Sequence, residues 1–407
     1  MKKINGGVTA AKGFQATATA AEIKYKGRND MALVYSIVPA AVAGVFTKNV
    51  VKAAPVKWDM DIVKTEEVAQ AVVLNSGIAN ACTGTDGVVI NQRMAQAVAK
   101  ELNIPERCVL TASTGVIGMP LPIERAENGI HAMSTTLSDT EEAGTLAAEA
   151  IMTTDSISKQ CAVTFELDGK TVTVGGMSKG SGMIHPDMAT MLCVITSDVA
   201  ISKDLLQEAV KADVKDSFNM ISVDRDTSTN DSMMVLANGM AENTKITEKN
   251  EAYHTFCEAL AMVTRTLAKM MAGDGEGATK LLEVTVKNAK TKEDAVALSK
   301  SVITSNLVKT AVYGSDANWG RILCALGYSG VEFNPEVVDL YIEGNGNSLQ
   351  LVANGMATDY SEEEATKILS AEEVIAIADM KAGDAKAIAW GCDLTYDYVK
   401  INGDYRS

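Results

Sequence analysis

Ala162-Val-Thr-Phe-Glu-Leu-Asp-Gly-Lys-Thr-Val-Thr-Val174, then Gly175-Gly-Met-Ser-Lys-Gly-Ser-Gly182, then Thr190-Met-Leu-Cys-Val-Ile-Thr196: these three runs decide the fold class. Residues 162–167 and 170–174 flank Asp168-Gly169, a strong two-residue hairpin signal. A Gly-rich loop is expected over 175–182, leading through His185-Pro186 into another apolar strand from Thr190. Outward from there, helix and strand signals alternate. Met94, Val98 and Leu102 carry helical spacing, and the run at 72–74 ends in a loop at Asn75-Ser76-Gly77. Ser138 with Glu141 reads as a capping box before a helix to about Met152, and Ser202 as the cap of another. Phe256, Leu260, Val263, Leu267 and Met270 mark an amphipathic helix closed by Gly273. Ser370 with Glu373 offers a second capping box, and 394–401 reads as a final strand. The expectation is a mixed chain, α/β in the α+β sense: a layered sandwich of sheets flanked by helices. Strand pairs read as hairpins rather than βαβ units, so a Rossmann-like sheet is not expected.

Composition bounds the function. The 407 residues hold 37 Lys plus Arg against 52 Asp plus Glu, a net charge of −15. Such a length suggests two or three domains. The surplus of acid argues against binding nucleic acid or an anionic membrane, both of which need a positive surface. No apolar run is long enough to span a bilayer, and the N-terminus has no apolar core of a secretion signal. Seven cysteines are scattered singly with no Cys-x-x-Cys, which reads as reduced core thiols in the cytoplasm. Only three histidines occur, so a metal site or a histidine-based triad is disfavoured.

Neither Gly-rich loop, 175–182 nor 273–277, has the spacing of a phosphate cradle. The segment Lys179 to Leu192 carries more chemistry. It delivers a small residue, Ala189, and a hydroxyl residue, Thr190, to the start of an apolar strand. Attack of the Thr190 hydroxyl on the Ala189 carbonyl, an N-to-O acyl shift and hydrolysis would free an N-terminal Thr. Its α-amine, with a pKa of about 7.7–8.0, can act as general base without histidine. A Thr at a strand edge with no such role remains the plainer reading of the spacing alone. Cys193 is read as core, since a free Cys behaves as a small apolar residue. Asp224, Asp226 and Asp231 lack calcium-hand spacing.

The segment resembles the self-cleavage motif of the ornithine acetyltransferase family, the bifunctional glutamate N-acetyltransferases of arginine biosynthesis. Further blocks resemble the family in order along the chain: Gly44–Asn49, Asn75–Gly84, Ser113–Gly118, Met152–Asp155, Asp226–Asp231, Gly273–Gly277, Leu307–Gly314, Asn318–Arg321 and Tyr398–Asn402. The resemblance implies an N-terminal-nucleophile-like fold and cleavage between Ala189 and Thr190, leaving chains 1–189 and 190–407. It implies Thr190 as nucleophile and Thr114 with Gly115 as oxyanion hole. Substrate contacts would come from Thr154 or its neighbour Thr153, and from Lys179, Thr190, Glu276, Asn402 and Ser407. It further implies acetyl transfer from N-acetylornithine to glutamate through an acetyl-Thr190 enzyme, with no metal and no resident cofactor. Acetyl-coenzyme A would enter as a second donor in the bifunctional version, and the two chains would associate as a heterotetramer. A self-processing aminopeptidase or amidase on a similar scaffold is the alternative, and a non-catalytic binding protein a third reading. Ile78, Arg225, Ala317 and Gly403 depart from the family's usual Asn, Gly, Pro and Ala.

Overall fold

The computed structural model describes residues 1–185 and 191–404; Ala189, Thr190 and Ser407 lie outside them. The hairpin read first in the sequence is present. Strands Lys159–Leu167 (β6 in chain order) and Lys170–Lys179 (β7) pair antiparallel, with Leu167 opposite Lys170. Asp168 (φ 53°) and Gly169 (φ 72°) both take the left-handed conformation that matches a two-residue turn to the twist of its strands. The expected loop at 175 starts later, because Gly175 to Lys179 continue β7.

The described chain divides into two compact units, and their limits differ from those of the pieces a cut at 189 would leave. The first unit comprises, of the described residues, 1–180, 191–219 and 227–267. Its sheet has nine strands: β1 (Lys2–Ile4), β2 (Phe14–Thr19), β3 (Met31–Phe46), β4 (Val68–Asn75), β5 (Val109–Ser113), β6, β7, β8 (Leu192–Ser197) and β9 (Ser232–Ala237). The order is β1-β6-β7-β8-β9-β3-β4-β5, with β2 also on β3. Alternate residues of β3 and β4 enter opposite cores: Ala32, Val34, Val72 and Leu74 one, Met31, Leu33, Ala71 and Val73 the other. That period of two means both faces are covered by apolar groups. Helices 84–102 and 123–134 supply Met94, Val98, Ile130 and Met133 to one core; helix 141–150 supplies Ala147 and Ala148 to the other.

Parallel pairs revise the hairpin expectation. β4 runs parallel to β5 across helix 84–102, and β8 parallel to β9 across helix 203–213. These are βαβ crossovers, which the sequence hides because fully buried strands read as short unpatterned apolar runs.

The second unit comprises residues 181–185, 220–226 and 268–407, described to 404. Its six strands are β10 (Leu281–Ala289), β11 (Asp339–Gly344), β12 (Asn347–Ala353), β13 (Met356–Ala357), β14 (Glu373–Asp379) and β15 (Ala385–Cys392), in the order β13-β12-β11-β14-β10-β15.

Three local expectations are corrected. Thr140, not Ser138, caps helix 141–150, its hydroxyl accepting from the Ala143 N–H. Ser370 ends helix 362–369 and Glu373 opens β14, while Ser361 is the cap, accepting from the Glu364 N–H. The tail expected as a strand is a helix, Tyr396–Gly403. Its aromatic and β-branched residues suggested β structure, but Tyr396 and Val399 are 84% and 71% exposed and pack no sheet face. The cysteines also divide: Cys161, Cys193 and Cys392 are buried, whereas Cys82 and Cys324 are exposed. Burial pushes the Cys193 thiol well up, which removes its thiolate and fits the packing role. No helix among the described residues is long and apolar enough to cross a membrane.

Candidate active site

In the first unit the site grows from the C-terminal end of β5. Thr114 follows that strand, and its N–H donates to the Asn75 carbonyl at 3.0 Å. Next, Gly115 takes φ +126°, and a Cβ there would lie 2.2 Å from the Gly77 carbonyl carbon. Backbone cannot yield as a side chain can, so only glycine fits. The Val116 N–H donates back to the Gly77 carbonyl. The Gly115 N–H, by contrast, has no acceptor among the described residues. A half-buried N–H held without an acceptor beside a threonine hydroxyl can receive a developing oxyanion.

Lys179, at the end of β7, is 7% exposed. Its ammonium donates to Thr153 Oγ1 at 2.9 Å and to Thr114 Oγ1 at 3.4 Å. A hydroxyl that accepts from an ammonium keeps its own proton for donation. Residues from three of the quoted blocks therefore meet at one cation. Leu192, two places after Thr190, is the β8 partner of Lys179 in the register. Thr154 lies half-buried beside Thr153.

Asp155 organises this cluster, and its role was not read from the sequence. Its Oδ1 accepts from Lys159 Nζ and from the Gly180 N–H, both at 2.7 Å, and its Oδ2 accepts from the Thr153 N–H at 3.0 Å. Burial alone would raise its pKa. The charges of Lys179 and Lys159, with these hydrogen bonds, overcome that and hold it down at about 2. Both buried ammonium groups thus face the Asp155 carboxylate. Burial pushes the nearby Asp231 carboxyl well up, against its hydrogen bonds with Ser228 and Thr47 and the charge of Lys179. The available signal was Lys159 itself, a lysine opening an apolar strand.

Asn230 ties further blocks together. Its Nδ2 donates to the carbonyls of Ala79 and Ser113 at 2.6 and 2.8 Å. Thr47 donates from its N–H to the Asp231 carbonyl and from its hydroxyl to that of Ser228.

In the second unit, Glu276 is 6% exposed. Its Oε2 accepts from Asn402 Nδ2 at 2.6 Å, and its N–H donates to the Ser181 carbonyl. A Cβ at Gly182 would lie 2.3 Å from the Glu276 carboxyl carbon, so this glycine lets the carboxylate approach the chain. Asp224 anchors the same segment, accepting from the Met183 and Ile184 N–H groups at 2.6 and 2.8 Å. His185 Nδ1 lies 3.1 Å from Ser222 Oγ. The structure thus brings Thr114, Thr153 and Lys179 together in one unit and Glu276 with Asn402 in the other.

The sequence model of the ArgJ family matches residues 15–407. The chain belongs to the ArgJ family. An arginine biosynthesis bifunctional protein ArgJ of Symbiobacterium thermophilum is 52% identical over 409 residues, spanning all of both chains. That of Caldanaerobacter subterraneus is 49% identical over 407 residues, again across both. Among solved structures, an ArgJ protein from Bacillus halodurans is 46% identical with a TM-score of 0.50, and it covers 52% of this chain and 97% of its own. As an ArgJ-family member the chain is an enzyme, an acetyltransferase of arginine biosynthesis.

Proposed function

We propose that this ArgJ-family chain cuts itself between Ala189 and Thr190 and moves acetyl from N-acetylornithine to glutamate through Thr190. In the cut, the Thr190 oxygen attacks the Ala189 carbonyl carbon and the peptide C–N bond breaks. The nitrogen takes the hydroxyl proton and becomes a free amine. Water then hydrolyses the ester, regenerating the hydroxyl and leaving a carboxylate on Ala189.

In the first half of transfer, the Thr190 amine accepts the hydroxyl proton while the oxygen bonds to the acetyl carbon. The amide C–N bond breaks, and ornithine leaves with that proton. In the second half the α-amine of glutamate attacks the ester, N-acetylglutamate departs, and the proton returns to Thr190. Thr114 and Gly115 stabilise both tetrahedral oxyanions. Lys179, with Thr153 or Thr154 beside it, takes the substrate carboxylate. Glu276, Asn402 and Ser407 are assigned to the amino-acid substrate, the anion of Glu276 to its ammonium. Acetyl-coenzyme A serves as a second acetyl donor. The enzyme works in the cytoplasm as a heterotetramer of two chains of each kind.

The single observation carrying this reading is the Gly115 N–H, without an acceptor among the described residues, beside a Thr114 hydroxyl held by a buried Lys179. Two further facts support it. β7, which precedes the cut, pairs with β8, which follows it, so both pieces would stay in one sheet. The solved Bacillus halodurans chain is matched almost whole yet covers about half of this one, as a piece left by a mid-chain cut would. The test is Thr190→Ala. It should run as one full-length band on a denaturing gel and transfer no acetyl, whereas the parent enzyme incubated with labelled donor should carry the acetyl on Thr190. Transfer at full rate by the variant would overturn the mechanism.

A further inference from the structure

Two adjoining cavities in the second unit have no role in the chemistry above. One, of about 350 Å³, is lined by Arg225, Arg321, Ser305, Asn306, Asn318 and Gly320 among others. The other, of about 590 Å³, is lined by Tyr313, Tyr396, Tyr398, Lys309 and Asp224 among others. Asn306 lines both, and the run Val223-Asp224-Arg225 passes from the second to the first.

The first cavity is built for anions. No carboxylate among the described residues lines it, although the chain carries a net −15. The Arg225 guanidinium has no hydrogen bond or ion pair among the described residues, and its backbone sits at φ +72°, a strained conformation for a residue with a side chain. Arg321 spends one nitrogen on the Leu307 carbonyl at 2.8 Å and on Thr310 Oγ1, leaving its others without a partner there. Helices 306–313 and 319–327 both begin at this cavity, adding the positive ends of their dipoles. Two guanidinium forks and two helix starts suit a diphosphate rather than a lone carboxylate.

The second cavity suits a flat ring. Tyr313 and Tyr396 stand edge to face with centroids 6.1 Å apart, and Tyr396 is 84% exposed. Its one lining carboxylate among the described residues, Asp224, accepts from the Met183, Ile184 and Asp226 N–H groups and the Tyr398 hydroxyl. Lys309 is likewise turned inward onto the Cys392 carbonyl. Exposed aromatic faces beside a phosphate site are a stacking platform for a base.

We propose that these adjoining cavities bind a nucleotide diphosphate, its phosphates on Arg225 and Arg321 and its base against Tyr396. If the reading above holds, the nucleotide end of acetyl-coenzyme A has this chemistry, as does a free nucleoside diphosphate.

The test is titration calorimetry on the full chain as purified, with coenzyme A, ADP, adenosine and inorganic pyrophosphate as separate probes. Coenzyme A and ADP should bind, each at least about tenfold tighter than adenosine or pyrophosphate, since the site has both a charged and an aromatic half. Arg225→Gly relieves the left-handed backbone, so it should fold normally while weakening both nucleotides at least about tenfold. Arg321→Ala and Tyr396→Ala should do the same. Tighter binding of coenzyme A than ADP identifies the acyl donor as the source; the reverse order identifies a free nucleotide. The proposal is overturned if the parent binds neither nucleotide, if Arg225→Gly binds them unchanged, or if pyrophosphate binds as well as ADP. Transfer between N-acetylornithine and glutamate is assayed in parallel. Intact transfer without nucleotide binding sinks this inference alone; binding through Arg225 without any transfer sinks only the reading under Proposed function.

Discussion

The ammonium of Lys179 lies 2.9 Å from the hydroxyl of Thr153, inside a buried cluster that also holds Lys159 and Asp155. A buried cation held by the Thr114 and Thr153 hydroxyls is placed to receive a carboxylate. Lys179→Met keeps the length of the side chain and removes the charge. It should raise KM for N-acetylornithine by about ten- to a hundredfold, the worth of a charged hydrogen bond, and lower kcat less. Thr153→Val should raise KM in the same sense by a smaller factor. Steady-state kinetics on both variants checks this, and unchanged KM values would remove Lys179 from the substrate site.

Thr114 and Gly115 are separable by the way each fails. Thr114→Ala deletes a hydroxyl and should lower kcat by about 10²–10³ with KM nearly unchanged, because an oxyanion exists only in the transition state. Gly115→Ala must instead push against the Gly77 carbonyl, 2.2 Å from the new Cβ. It should lose thermal stability as well as activity. A Gly115→Ala enzyme with the parental melting temperature would show that the Gly77–Gly115 contact can relax.

Asp155 sets an acid limit. Its folded pKa of about 2 lies below the ordinary value of 3.8, so the folded state binds its proton less readily than the unfolded chain does. The contribution is therefore complete above about pH 4–5 and is lost as pH falls toward 2. Asp155→Asn takes one carboxylate away from the buried Lys159 and Lys179 charges, and removing one partner of a buried pair costs about 3–5 kcal/mol. Urea unfolding of parent and variant should show a large gap at pH 7 that narrows between about pH 4 and 2. A gap constant across that window would mean the carboxylate charge is not what stabilises the fold.

Much of this was legible in the residues. The Asp168-Gly169 turn and the heptad-like spacing from Phe256 to Leu267 are local signals, and local signals survive into the fold. The blocks containing Thr114, Thr153, Lys179, Glu276 and Asn402 stood out as sequence patterns, although only their resemblance to a family gave them roles. Asp155 was hidden because its function depends on Lys159 and Lys179, which meet it only after β6 and β7 pair. The parallel strands were hidden because β4 and β8 are buried on both faces and so lack alternation. The tail at 396–403 misled because strand propensity describes packing on a sheet, and no sheet neighbours it.

Glu276 offers a second handle on the substrate: it is 6% exposed, its Oε2 accepts from Asn402 Nδ2, and Gly182 clears its approach. A carboxylate oxygen that accepts from an amide has lone pairs left to accept from a substrate ammonium. Glu276→Gln preserves shape and the capacity to accept from Asn402, so the fold should be kept while KM for glutamate rises by about ten- to a hundredfold. Asn402→Ala should cost less, because it loosens the carboxylate without neutralising it. Gly182→Ala should mimic Glu276→Gln kinetically, since a methyl group 2.3 Å from the carboxyl carbon must displace it. Parental KM values in all three variants would show that the ammonium is held elsewhere, and the assignment of Glu276 would fall while that of Lys179 stands on its own test.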